Sequence, residues 1–385
     1  MRVELVRRGE RSAAMAYLSP LLALLLTLIG GALIVIVWRV VAMDTSAPDS
    51  GGLFGAIQQG FADYGRFLYV FFIEPLTAMW SIEDLIAKAT PIILVAIGLS
   101  FCFLSNTWNI GAEGQIAVGA ITGSFLPIFF PEWQGPFILP AMLILGMLGG
   151  MAYASIPALL KIRFGTNEIL TSLMLVYVAQ LFLDWLARGP WRNPEGHNFP
   201  DSRPFDGDQL LPTLFGTNIR ISVLFVFVAA FAAWFLMRWT KTGFQIRVLG
   251  QAPRAGAFAG FSQKRMVLLT FLISGALAGL AGASEIAGPV GQLRTTVSPG
   301  YGFTAIIVAF LGRLNPIGAI FAGFLLALSY LGGEGAQIAL GMSDQTTRVF
   351  QGMLLFFVLA CDSFIFYRLQ IVRRPVVPQT QAVAS

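Results

Sequence analysis

The chain has 385 residues, of which 56% are hydrophobic and only 12% charged, where a soluble domain is about a quarter charged. That composition excludes a soluble globule and predicts a polytopic membrane protein. The net charge of +5 does not point to nucleic acid, because the 25 basic residues are scattered over the ends of apolar runs rather than gathered on one face.

With a template of about 20 apolar residues per crossing, apolar runs fall at 18–42, 89–105, 116–131, 137–160, 168–187, 221–239, 265–287, 302–313, 316–333 and 346–367. They predict an all-α helical bundle of about ten transmembrane spans over residues 18–367. A short segment, 1–17, precedes the bundle with Arg2, Arg7, Arg8 and Arg11, and a tail, 368–385, follows it. The first run is longer than the roughly 7–15 residues of a signal-peptide core and reads as an uncleaved anchor. Ten crossings return the C-terminus to the side of the N-terminus. With both ends cytoplasmic, basic residues favour the inner side of the membrane by about two to one.

Two outer segments are then long. Residues 43–88 hold an aromatic stretch from Phe61 to Trp80 with Asp63, Arg66 and Glu74, suited to the membrane interface. Residues 188–220 are rich in Pro and Asp and read as a structured loop. Either segment faces a soluble partner or is simply solvated.

Between the second and third runs, Ser105 to Gln115 places Asn106, Trp108, Asn109, Glu113 and Gln115 with two glycines where no loop is to spare. Irregular backbone at membrane depth must be sheltered by protein or water. Either Asn109 caps the next helix while Glu113 complements its positive end, or these groups line a permeation path through a discontinuous helix; the two readings are compatible. Trp108, Phe101 and Phe103 offer faces on which a ring can stack. A second polar start, Thr166-Asn167-Glu168, reads as a helix cap. Glu285 lies at the end of a run rich in small residues, including Gly275 and Gly279, and is a candidate intramembrane carboxylate.

The inner loop 240–264 mixes basic residues with Gly and Ala and has no acid. A short helix at 254–259 ended by Gly260, flanked by Arg247 and Arg254, suits docking in the cleft of another protein. Enzyme chemistry lacks its parts. Lys88, Lys161, Lys241 and Lys264 never follow Gly, so there is no P-loop. The one histidine, His197, sits in a loop, and Cys102 and Cys361 lie in apolar runs without a CxxC spacing. No cofactor is expected in this chain.

Asn109-Ile-Gly-Ala-Glu-Gly-Gln115, Gly165-Thr-Asn-Glu-Ile169, the pattern set by Thr240, Gly243, Arg247 and Gly250 with Ala255 and Gly260 beyond it, and Gly302-Phe-Thr-Ala-Ile306 with Leu311-Gly-Arg-Leu-Asn-Pro316 occur in that order. On these motifs, residues 75–365 resemble the permease subunits of ABC importers, in the nucleoside and simple-sugar branch related to ribose and branched-chain amino acid permeases. The resemblance implies a type II importer-like permease of the cell inner membrane whose loop 240–262 holds a coupling helix. It further implies a separate cytoplasmic ATPase that binds ATP and Mg, a second permease that is a paralogue or an identical copy, and a periplasmic or lipoprotein receptor delivering nucleosides or similar polar solutes. Ala252 and Gly256 depart from the family pattern, which commonly has Asn and Ala at those positions. The rival reading is an ion-coupled secondary transporter, which calls for paired intramembrane acids; Glu113 and Glu285 are the candidates.

Overall fold

A computed structural model describes residues 2–7, 13–41, 52–197, 199–214, 216–341 and 344–372. The expected polar stretch after the first run and the end of the tail, 373–385, lie outside the described residues, as do Arg8 and Arg11. Contacts divide the chain into two units, Ala62–Gln351 and the pair of terminal stretches Met1–Phe61 with Gly352–Ser385.

In the terminal unit, β1 (Arg2–Arg7) pairs antiparallel with β2 (Tyr367–Val372), Arg2 opposite Val372 and Arg7 opposite Tyr367. Helix α1 (Ala13–Val41) follows β1 and leaves most of its apolar surface uncovered by the chain, with Leu21 64% and Leu33 59% exposed. Such a surface needs lipid around it. Helix α2 (Gly52–Leu68) begins in this unit.

The larger unit continues through a π-turn (Tyr69–Ile73) and a 3-10 turn (Glu74–Leu76) into α3 (Met79–Leu104). Every residue of α3 from Ala89 to Phe103 is buried, as expected of a helix that is apolar all round. The structure starts this helix ten residues before the expected run; Lys88, in that extension, pairs with Glu334 at 2.7 Å. Next come α4 (Ala112–Phe129), α5 (Ile138–Phe164), α6 (Glu168–Arg188) and α7 (Ser222–Trp239). The short helices α8 (Lys241–Gln251) and α9 (Pro253–Phe258) precede α10 (Gln263–Ala287), α11 (Tyr301–Leu311) and α12 (Pro316–Leu340), and α13 (Asp344–Phe366) begins in this unit and continues in the terminal one.

All ten expected runs fall on helices, but seven helices among the described residues are long and apolar enough to cross a membrane: α3, α5, α6, α7, α10, α12 and, within α1, Leu18–Val37. Length and composition single out these seven without confirming about ten; the shorter apolar helices Tyr301–Leu311 and Arg348–Cys361 fall below that length. Gly, Ser, Thr and Glu113 dilute α4, and α13 opens with a polar turn. At about 1.5 Å per residue, the 11 residues of α11 reach only half of a roughly 30 Å hydrocarbon core.

Helices α4, α5 and α10 meet backbone to backbone. A Cβ on Gly279 would lie 2.1 Å from the carbonyl oxygen of Gly146, one on Gly150 2.2 Å from that of Gly275, and one on Gly119 2.4 Å from the Cα of Gly279. Small residues allow this approach where the hydrophobic effect gives helices no reason to associate. Because the blocking atoms are backbone, Gly279→Ala should destabilise the bundle by about 1–3 kcal/mol through overpacking; thermal unfolding in detergent measures it, and an unchanged midpoint would contradict the contact.

The loop between α6 and α7 is folded against the segment after α10. The N–H of Phe205 donates to Gly291 O at 2.8 Å, that of Leu211 to Ala287 O at 2.7 Å, and Ser202 and Leu293 exchange two bonds of 2.9 Å. Phe205, Gln209 and Leu211 are buried there.

Candidate functional site

The chain between α3 and α4 is irregular and almost wholly satisfied by neighbours. The hydroxyls of Ser105 and Thr107 donate to the Cys102 carbonyl at 2.8 and 3.0 Å, closing the end of α3. Asn106 turns the chain in the left-handed region, φ 56°, which Asn tolerates better than most residues. The Asn109 amide donates to Gln115 Oε1 at 3.1 Å and to Ser274 Oγ at 3.0 Å, and its Oδ1 accepts from Gly111 N and Gln115 Nε2. Ile110 N–H donates to Ser172 Oγ, and Trp108 N–H to Glu168 Oε1, which also pairs with Lys161. Side chains of α6 and α10 thus replace the missing helical bonds, as a membrane interior requires.

Asn109 and Gln115 are fully buried and bind each other, whereas Asn106 is exposed and Trp108 is 37% exposed. Trp108 stacks on Phe310 at 5.7 Å, and Phe310 stacks on Phe103 at 4.8 Å. Phe310, invisible as a partner in sequence, thereby covers one face of Trp108 and one of Phe103. Phe101 is buried.

Glu113 stands in the first turn of α4, yet its carboxylate serves another helix. Gly300 N–H donates to Oε1 at 3.1 Å and Gly302 N–H to Oε2 at 2.6 Å, so Glu113 caps α11. Ser298 Oγ accepts from Tyr301 N–H at 2.9 Å beside it. A Cβ on Gly302 would come 2.3 Å from Glu113 N, so the helix end sits directly on the α4 backbone. Glu285 is buried in the last turn of α10, and among the described residues its carboxyl group makes no hydrogen bond. A cleft of about 440 Å³ opens beside Glu113, between α4, α6 and the segment before α11.

The loop after α7 forms a second site. Thr240 caps α8 by accepting from Gly243 N–H at 3.1 Å. Arg247 folds back to donate to the Met237 carbonyl at 2.9 Å, placing its charge at the negative end of α7. A Cβ on Gly250 would lie 1.9 Å from the Leu104 carbonyl oxygen, so α8 touches the end of α3 through backbone. Helix α9 starts at Pro253 and ends before Gly260, φ 78°. Only Gly256 of α9 is buried; Arg254 and Ala255 are exposed and Phe258 is 94% exposed. Phe258 is a further candidate contact, signalled in sequence as the one large apolar residue of a small-residue helix.

The family model described as the permease component of a branched-chain amino acid transport system matches residues 81–359. The chain belongs to this permease family. It is a translocation subunit of an ABC transporter and not an enzyme; ATPase and substrate-binding subunits complete such a transporter. The permease is 31% identical over 384 residues to the glucose ABC transporter permease protein TsgB13 of Haloferax volcanii, covering 96% of this chain and 95% of that one. It is 27% identical over 354 residues to the guanosine ABC transporter permease protein NupP of Bacillus subtilis, with 91% and 94% covered. It is also 27% identical over 299 residues to the nucleoside ABC transporter permease protein NupB of Lactococcus lactis subsp. cremoris, with 74% and 81% covered. A solved ABC transporter of metal-chelate type, in an inward-facing conformation, aligns at TM-score 0.45 and 14% identity over 88% of this chain and 97% of that chain.

Proposed function

We propose that the permease imports nucleosides or similar small polar solutes across the inner membrane, with both termini cytoplasmic. It pairs with a second permease, a paralogue or an identical copy, and receives solute from a periplasmic or lipoprotein receptor. ATP and Mg bind in the cytoplasmic ATPase, which docks on loop 240–264 through α9, with Arg254, Ala255 and Phe258 presented and Gly260 ending the knob. The pairing of β1 with β2 supports a common side for the two ends, and the excess of inner basic residues supports the cytoplasmic one. Relatives named for guanosine, nucleosides and glucose support a hydroxyl-rich solute.

The observation that carries this reading is the contact of Gly250 with the Leu104 carbonyl. It links the docking loop directly to the break at 105–111. Cassette closure moves α9 and α8; α8 pushes on the end of α3; the break shifts, and Glu113 passes the shift to α11. Asn106, Trp108, Glu113 and Glu285 border the path in this scheme, while Asn109 and Gln115 hold its turn. The chain then alternates access without titrating a coupling ion.

Vesicles holding the assembled transporter test the coupling. Arg247→Glu sets a negative charge against the carbonyl end of α7, and Gly260→Arg forces a side chain into the left-handed region. Both variants should insert normally and lose ATP-driven uptake. Full uptake by either would remove the loop from the mechanism, and loss of wild-type uptake on collapsing ion gradients with ATP intact would favour the secondary transporter.

A further inference from the structure

The cleft beside Glu113 has a volume within the roughly 300–1,000 Å³ of small-molecule sites. Its polar lining includes Glu113, Tyr177, Gln180, Asp184, Thr296 and Ser298, and no Lys, Arg or His lines it. Two cations bear on its carboxylates without lining it: Arg188 pairs with Asp184 at 2.7 Å, and Arg348 acts on Glu113 through space.

A half-length helix that starts inside the protein normally offers its N-terminal N–H groups and positive end to an anion. The cleft lies at such an end, that of α11, since Ser298 and Glu113 both line the cleft and both accept from its first turn. The protein has filled that anion position with its own carboxylate. What remains for a visiting solute is a set of hydroxyls, one amide and the carboxyl groups of Glu113 and Asp184, with no cationic side chain in the lining to receive an anion. Neutral hydroxyl-bearing molecules can exchange hydrogen bonds with these groups, whereas a phosphate would meet Glu113 where it would otherwise meet a helix N-terminus.

We propose that Glu113, by occupying the α11 N-terminus, makes this cleft a charge filter that admits neutral or cationic solutes and rejects anionic, phosphorylated ones. The proposal rests on the transport reading for its biological use, but the filter itself is a property of the cleft.

Thiol labelling reads it directly. The native Cys102 and Cys361 are both buried, which keeps background low. In the full-length chain in lipid nanodiscs, Thr296→Cys is labelled with small methanethiosulfonates carrying either a cationic trimethylammonium or an anionic sulfonate group. A lining with carboxyl groups and no cation should favour the cationic reagent by about tenfold, and the ratio should fall towards one in Thr296→Cys with Glu113→Gln, since Gln retains an acceptor oxygen for α11. Asp184→Asn, at the surface, lowers the ratio less and guards against misfolding of the Gln variant. Equal labelling by the two reagents, absence of labelling by both, or a ratio unmoved by Glu113→Gln would each overturn the filter. None of these readouts depends on ATP or on a partner, so failed ATP-driven uptake with an intact labelling ratio would instead count against the importer reading alone.

Discussion

Gly250→Val is expected to abolish ATP-driven uptake while leaving the permease inserted and its ATPase bound. The substituted Cβ falls 1.9 Å from the Leu104 carbonyl oxygen, a backbone atom that no rotamer change can move. Helix α8 must then lift from the end of α3. Overpacking of this kind costs about 1–3 kcal/mol, which lowers the population of the docked arrangement by roughly fivefold or more. The exposed face of α9 is untouched, so co-purification with the ATPase should persist. Uptake within a factor of about two of wild type would show that force does not travel through this contact.

Glu113→Leu is expected to disable both stability and transport. Its carboxylate satisfies Gly300 and Gly302, and Leu leaves these N–H groups short of acceptors in a buried place. Each such loss costs about 1–3 kcal/mol, and the helix end loses its compensating charge as well. Thermal unfolding should drop well below that of Glu113→Gln, and uptake by the assembled transporter should fall with it. If Leu and Gln variants unfold alike, the cap on α11 contributes nothing.

The helices were legible in the sequence because each apolar run is nearly continuous and its ends carry readable caps. Asn167 caps α6 by accepting from Ile169 N–H, Thr240 caps α8, and Gly165 closes α5 with φ 69°. The count of crossings was less legible, since hydropathy treats 302–313 as one more run and does not register that α11 is half a span. The signature around Asn109 stood out by composition, but its bonding did not. Ser172 and Ser274 look like ordinary small helical residues until the fold brings them to Ile110 and Asn109. The cap of α11 by a carboxylate 187 positions earlier has no local trace at all. One missed element did leave a signal: Arg2-Val-Glu-Leu5 within β1 and Arg368-Leu-Gln-Ile371 within β2 alternate in character with the period of a strand.

The backbone seam among α4, α5 and α10 limits how the permease can change shape. With glycines abutting carbonyls, there is no cushion of side chains for one helix to slide on, and interdigitated packing is bistable rather than elastic. These three helices therefore travel as a single rigid wedge. Any bending is left to its margins, the non-helical stretches 105–111 and 288–300.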